Sequence, residues 1–267
     1  MPAKFAYAQW PWGVTTREEF IQSCKDMSEV GFEYFESVKA FIDTFKDTPE
    51  DFKAITEEYN IRPISFYFHM TGDHATDIAE MKNKIGFVHD CGIKTVCISG
   101  VYSTTPATHE QTVYAINTIK DYGKICKDYG VMPCIHPHHN TTIMYESDID
   151  YLMENTNPDE IGFAPDTAHL IAGECDPVTI FERYKNRIHF THLKDITGEM
   201  DGGVMQYGVE VYKNFRELGR GMVNFPKIFE ILKSVNYDGY LCAELDYTEF
   251  GNKESAMMNM KYLRENW

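Results

Sequence analysis

Four short segments hold most of the side chains in this sequence that could do chemistry. They are Ile135-His136-Pro137-His138-His139, Ala164-Pro165-Asp166-Thr167-Ala168-His169, Thr191-His192-Leu193-Lys194-Asp195 and Ala243-Glu244-Leu245-Asp246. A lone histidine beside a strand is ordinarily a hydrogen-bonded structural residue. Four consecutive strands that end in His136, Asp166, His192 and Glu244 are a different case. Burying so many titratable groups together is costly unless they are paired or hold a cation. Two imidazoles with two carboxylates form a borderline nitrogen–oxygen ligand set, suited to Mn²⁺, Zn²⁺, Co²⁺ or Fe²⁺ and less to Ca²⁺. Such a set leaves one or two coordination positions open for the oxygens of a substrate. One divalent metal per chain is expected, with manganese the first choice and zinc, cobalt, iron or magnesium the others.

These residues can meet only if the chain brings the segment ends to one rim. Short β-rich runs recur at even intervals, over 5–9, 33–36, 62–67, 95–99, 131–136, 161–165, 188–192 and 240–244. Gly31, Asn60, Gly92 and Gly130 precede four of them, as a helix end entering a strand requires. Helix starts are marked at Thr48-Pro49-Glu50-Asp51, at Thr108-x-x-Gln111 and at Asp176-Pro177. Val113, Ile116, Ile119 and Cys126 fall on one helical face. Strands alternating with helices in a chain of 267 residues predict a single (β/α)8 TIM barrel over 1–267. An open doubly wound sheet is the other arrangement, but no G-x-G-x-x-G or Walker sequence supports it. The glycine-rich connection at about 194–222 breaks the rhythm, with no helix expected before about Asn224. A connection of that length on a barrel's catalytic face reads as a substrate-covering loop.

Further polar and aromatic residues lie near the same strand ends. Glu36 ends the second strand, where it could contact substrate or pair with a rim lysine, and His69 lies just past the third. His69, His138, His169 and Lys194 could bind substrate, move protons or orient ligands, while His139 and Asp195 each neighbour a stronger candidate. Trp10 and Trp12 follow the first strand and could stack on a sugar or simply pack.

The totals narrow the function classes. With 41 acidic against 25 basic side chains, the formal net charge is −16, which disfavours nucleic acid and anionic membrane surfaces as partners. No run approaches the roughly 18 apolar residues of a membrane span. The seven cysteines form no C-x-x-C pair, so reduced thiols in a cytoplasmic protein are expected rather than a disulfide framework. The first residues lack the basic and apolar stretches of a signal peptide.

The chain resembles the xylose isomerase-like TIM barrels, or sugar phosphate isomerase/epimerase superfamily, and within it the inosose dehydratases and their relatives. The stretches that carry the likeness are His136-Pro137-His138-His139-Asn140-Thr141, Asp166-Thr167-Ala168-His169-Leu170, Asp176-Pro177, 187–195, Gly219-Arg220-Gly221 and Glu244-Leu245-Asp246. They cover the C-terminal half strongly; the N-terminal half matches mainly in layout. The resemblance implies a metal ligand at each of strand ends five to eight, on His136, Asp166, His192 and Glu244, and a substrate-contacting role for His169. His136 stands where the family's ketose epimerases use a glutamate as ligand and acid/base, so their symmetric proton exchange is in doubt here.

The implied chemistry is proton abstraction next to the carbonyl of a keto-sugar or keto-inositol, through a metal-stabilised enediolate. Glu244 is the expected base, His138 or His169 its acid partner, and Lys194 or Arg220 lies near the developing charge. Trp10, Glu36, His69, His169 and Arg220 are the expected substrate contacts. Reprotonation gives an isomerase or epimerase; loss of a β-leaving group gives a lyase such as an inosose dehydratase. An apurinic endonuclease-like hydrolase and a non-catalytic sugar-binding barrel are the remaining alternatives. A homo-oligomer is compatible with the fold, although no stripe in the sequence marks an interface.

Overall fold

Residues 4–103, 105–197 and 211–267 are described by a computed structural model of the chain. Eight parallel strands form the barrel wall: β1 (Lys4–Ala8), β2 (Tyr34–Val38), β3 (Arg62–Met70), β4 (Thr95–Val101), β5 (Met132–His136), β6 (Gly162–Phe163), β7 (Phe190–Leu193) and β10 (Tyr240–Ala243). Their order is β6-β5-β4-β3-β2-β1-β10-β7. The wall closes between β6 and β7 through two isolated parallel bridges, Phe163 with Ile188 and Asp166 with His192. The (β/α)8 barrel expected from the alternation is therefore the fold.

Two apolar layers hold it. Inside the wall, Ala6, Ala8, Ile64, Cys97, Cys134, Ala164, Phe190 and Cys242 form a core in which alanine and cysteine predominate. Outside it, Phe20, Phe35, Phe45, Phe52, Phe66 and their neighbours pack the strands against the helices. The helices around the wall include α5 (His109–Lys127), α7 (Thr167–Ala172) and α8 (Pro177–Tyr184). Thr108 and Gln111 cap α5 reciprocally, and Asp176 caps α8 through the amides of Val178 and Thr179. Thr48 precedes α3 (Pro49–Glu58) as expected, yet its side chain makes no cap bond; the proline and the acids mark that start. On α5 the buried stripe runs through Thr112, Ile116, Ile119 and Cys126, with Val113 only partly buried at its edge. Gly31, Asn60, Gly92 and Gly130 all take positive φ at helix ends.

The connection after β7 is more structured than a loop. Asp195–Ile196 (β8) pairs antiparallel with Phe215–Arg216 (β9), after a short 3₁₀ turn at Val211–Asn214. The covering loop expected over 194–222 has its span 198–210 outside the described residues. Asn224 caps the next helix, α9 (Phe225–Ser234), where the sequence placed its start. No helix among the described residues is long and apolar enough to cross a membrane, and all seven cysteines are free thiols.

Candidate metal centre

Side chains alternate across a strand, so residues two apart share a face. The interior residues Cys134, Ala164, Phe190 and Cys242 are each followed, two positions on, by His136, Asp166, His192 and Glu244. The barrel wall thus sets the four predicted ligands as one ring above its core. One ligand atom from each lies within 4.8 Å of all the others, and all four residues are buried. A further two positions on stand His138, Lys194 and Asp246, the next layer toward the mouth.

Each ligand is held from behind. The His136 Nδ1–H donates to the Ala164 carbonyl at 3.2 Å, which leaves Nε2 with its lone pair toward the ring of ligands. Asp166 is the N-cap of α7; its Oδ1 accepts from the amides of Ala168 and His169, both at 2.8 Å. Its Oδ2 is left free of hydrogen bonds. The His192 Nε2 bonds to Glu36 Oε2, and its Nδ1 lies 2.7 Å from Glu244 Oε2. Neither of these last two atoms has a hydrogen-bond partner of proper geometry. Three buried polar atoms, from Asp166, His192 and Glu244, are thus aimed at one point without being satisfied by each other. Buried groups in that condition call for a ligand, and the nitrogen–oxygen donor set fits a divalent transition-metal ion.

The charge count agrees. Asp166, Glu244 and Asp246 gather around one ammonium, that of Lys194, and Glu36 pairs with His192 behind them. With His192 counted as neutral, four carboxylates against one lysine leave a formal excess of three negative charges. Burial would lower the Lys194 and His192 pKa values, but the surrounding carboxylates outweigh it and hold both well above their ordinary range. Burial would raise Glu244, yet Lys194 and His192 hold it well below. Burial pushes Asp166 up to about 7 even with Lys194 nearby.

Lys194 is fully buried and central. Its Nζ lies 2.6 Å from Glu244 Oε1, 2.8 Å from Asp246 Oδ2, 3.3 Å from Asp166 Oδ2 and 3.2 Å from His169 Nε2. It also sits over the Phe215 ring at 4.4 Å, so the β8–β9 ribbon backs it.

The three other buried histidines have their tautomers dictated by these contacts. An ammonium only donates, so His169 Nε2 accepts from Lys194 and its Nδ1 carries the proton. That proton is donated to His139 Nδ1 at 3.0 Å. The His138 Nδ1–H donates to the His139 carbonyl at 2.7 Å, and its ring stacks on His169 at a centroid distance of 3.7 Å. Among the described residues the His138 Nε2 has no hydrogen-bond partner, so it keeps an uncommitted lone pair. Burial holds all three rings neutral, His139 down to about 4 and the other two well below the ordinary value.

The remaining predicted residues are spread around the mouth. Trp10 packs on Tyr67 at 5.5 Å, and Tyr67 on His136 at 5.7 Å; Trp12 instead turns outward against Tyr7 and bonds Asp26. His69 is exposed, with Tyr102 beside it at 6.0 Å. Glu36 is fully buried behind His192, where neither a substrate nor a rim lysine reaches it. Arg220 lies apart from the ring of ligands, exposed over Phe250 and 4.0 Å from Glu217. Asp195 turns away and accepts from the Gly221 and Val223 amides. The partnership of Asp246 with Lys194 escaped the sequence reading, although its two-residue offset from Glu244 signals it. A cleft of about 740 Å³ opens at the other end of the barrel, lined by Tyr34, Lys53, Arg62 and Tyr240. In this architecture that face serves stability rather than catalysis.

Known proteins agree with this architecture. The family model for xylose isomerase-like TIM barrels matches residues 24–266. An inosose dehydratase of Clostridium tetani is 30% identical over 206 residues, 72% of this chain and 68% of its own length. One from Lacticaseibacillus casei is 29% identical over 211 residues, 70% of each. A solved structure of the IolI protein with a zinc atom aligns at a TM-score of 0.81, with 15% identity, covering 98% of this chain and 97% of its own. D-allulose 3-epimerase from Methylomonas, in complex with D-allulose, aligns at 0.79 with 14% identity, over 99% and 97%. Those two likenesses concern the fold alone. From the extent of the family match, this chain belongs to the xylose isomerase-like TIM barrel family.

Proposed function

We propose that the protein is a divalent-metal-dependent enzyme that removes a proton beside the carbonyl of a keto-inositol or keto-sugar, and that it completes the reaction by eliminating water. The observation that carries this reading is the set of unsatisfied atoms on Asp166, His192 and Glu244 beside the free His136 nitrogen. When bound there, a divalent ion would polarise the carbonyl and lower the cost of the negative charge that develops on its oxygen.

The chain's own residues divide the remaining work. Glu244 has one oxygen on Lys194 and the other in the ligand ring, so it holds rather than shuttles. His138, neutral and with Nε2 uncommitted, is the group placed to take the proton from carbon. The electron pair of that C–H bond forms an enediolate. When the enediolate collapses, the bond to the neighbouring carbon's hydroxyl breaks, and His138 returns the proton to the departing oxygen as water. A carbon–carbon double bond conjugated to the carbonyl remains. His139, His169 and Lys194 form a relay of fixed hydrogen bonds that keeps His138 in place. Trp10, Tyr67, His69 and Tyr102 line the mouth, where they would meet the ring carbons and hydroxyls.

Two considerations favour elimination over epimerisation. A symmetric epimerase needs matched bases on opposite faces of the carbon, and His136 with Nδ1 tied to Ala164 offers none. The curated relatives quoted above carry the name inosose dehydratase. A nuclease-like centre of several ions draws less support, since His69 joins none of the clustered ligand groups among the described residues.

Incubation of the Mn²⁺-loaded protein with a keto-inositol in deuterated water tests the proposal. A product lighter by one water is expected. Deuterium wash-in at conserved composition would move the assignment to an isomerase or epimerase. Neither exchange nor product across a panel of keto-inositols and keto-sugars would remove the proton-abstraction reading for them.

A further inference from the structure

The Lys194 ammonium sits among side chains that could themselves hold a metal ion. His169, Glu244 and Asp246 each offer a donor atom within 4.8 Å of the other two, and the lysine Nζ lies among them. Its contacts are His169 Nε2 at 3.2 Å, Glu244 Oε1 at 2.6 Å and Asp246 Oδ2 at 2.8 Å. Asp166 Oδ2 is fully buried without a hydrogen bond and lies 3.3 Å from the same nitrogen. Because the ammonium can only donate, all four of these atoms present lone pairs to it. One histidine nitrogen and two carboxylate oxygens, with the Asp166 Oδ2 of the primary ring alongside, are donors that a divalent transition-metal ion takes.

Glu244 links this position to the primary one. Its Oε1 faces Lys194 and its Oε2 faces His192. A carboxylate shared in that way is how paired ions about 3.5–4 Å apart are bridged in two-metal enzymes.

We propose that Lys194 is a built-in substitute for a second metal ion, and that it keeps the centre mononuclear. This rests on the metal reading given above. The charge arithmetic points the same way: without the ammonium, Asp166, Glu244 and Asp246, with Glu36 behind a neutral His192, would leave two negative charges uncompensated by a single divalent ion. A second divalent ion brings the formal sum to zero.

The test is metal stoichiometry in the full chain, stripped with chelator, reloaded with Mn²⁺ and freed of excess. Wild type is expected to hold one ion per chain and Lys194→Ser two. The two ions should be spin-coupled in the Mn²⁺ electron paramagnetic resonance spectrum. Adding Asp246→Asn to Lys194→Ser should return the count to one. Lys194→Gln keeps much of the stem over Phe215 and carries the same test if the shorter side chain does not fold. One ion in wild type and one in a folded Lys194 variant overturns the inference and leaves the primary site standing. No ion in wild type overturns both, and two ions in wild type overturn the substitute role. Failure of both variants to fold even with added Mn²⁺ also counts against the proposal, because the second ion should replace the missing charge.

Discussion

At the scale of single residues, Glu36 is the most instructive. The sequence placed it at a strand end among substrate contacts; in the structure it bonds to His192 Nε2 and is buried. A carboxylate on the far nitrogen of a metal-ligating histidine fixes the ring's tautomer and strengthens it as a donor. Glu36→Gln should therefore weaken Mn²⁺ binding by roughly 10–100-fold without reducing the number of sites. Titration of the chelator-stripped protein measures this. An unchanged affinity would show that His192 needs no such support. The convergence of His136, Asp166, His192 and Glu244 was legible because each is a metal-binding residue type at a strand end. Glu36 was not, because its role depends on a contact across the barrel, to His192, that no local spacing records; Asp246 left only its two-residue offset from Glu244 as a sign, and its partner Lys194 lies on another strand.

At the scale of elements, the barrel strands were read within a few residues of their ends. The alternation that marks them also puts 136, 166, 192 and 244 on one face. The β8–β9 ribbon was not legible: two strands of two residues each are too short for any period to show. Its base is fastened by Asp195, whose carboxylate accepts from the amides of Gly221 at 2.8 Å and of Val223 and Ile196 at 3.0 Å. A Cβ on Gly221 would run into that carboxylate and into the Ile196 carbonyl, so the turn has room only for glycine. Asp195→Ala leaves these amides without their acceptor and should cost about 1–3 kcal/mol of stability, read as a lowered thermal midpoint. Because Phe215 on this ribbon lies under the Lys194 ammonium, the same variant should also disturb the site. A variant as stable as wild type would mean that the ribbon is held elsewhere.

At the scale of the whole molecule, the acidic surface bears on the choice of substrate. A formal charge of −16 repels anions at a distance, and salt screens that repulsion over a Debye length of about 10 Å at 0.1 M. For a neutral keto-inositol, kcat/KM should stay within about twofold between low and moderate salt, whereas for a phosphorylated ketose it should rise with salt. A fall with salt for the phosphorylated compound would mean that the field at the mouth is positive despite the total. Composition made this charge legible from the start. The barrel was legible too, since each strand-and-helix unit announces itself locally. How the barrel closes was not, because closure pairs the two ends of a sheet that are adjacent only once folded.

That closure joins two parts of the molecule usually considered separately. β6 spans only Gly162 and Phe163, and it meets β7 through isolated bridges, one of which pairs Asp166 with His192. The His192 amide donates to Pro165 at 3.0 Å, while Thr167 Oγ1 donates to the Lys194 carbonyl at 2.6 Å and accepts from the Lys194 amide at 2.9 Å. The thinnest seam in the cylinder therefore runs between two residues of the ligand ring. An ion held by both, as proposed, would act as a rivet across that seam and tie the loading of the centre to the tightness of the cylinder.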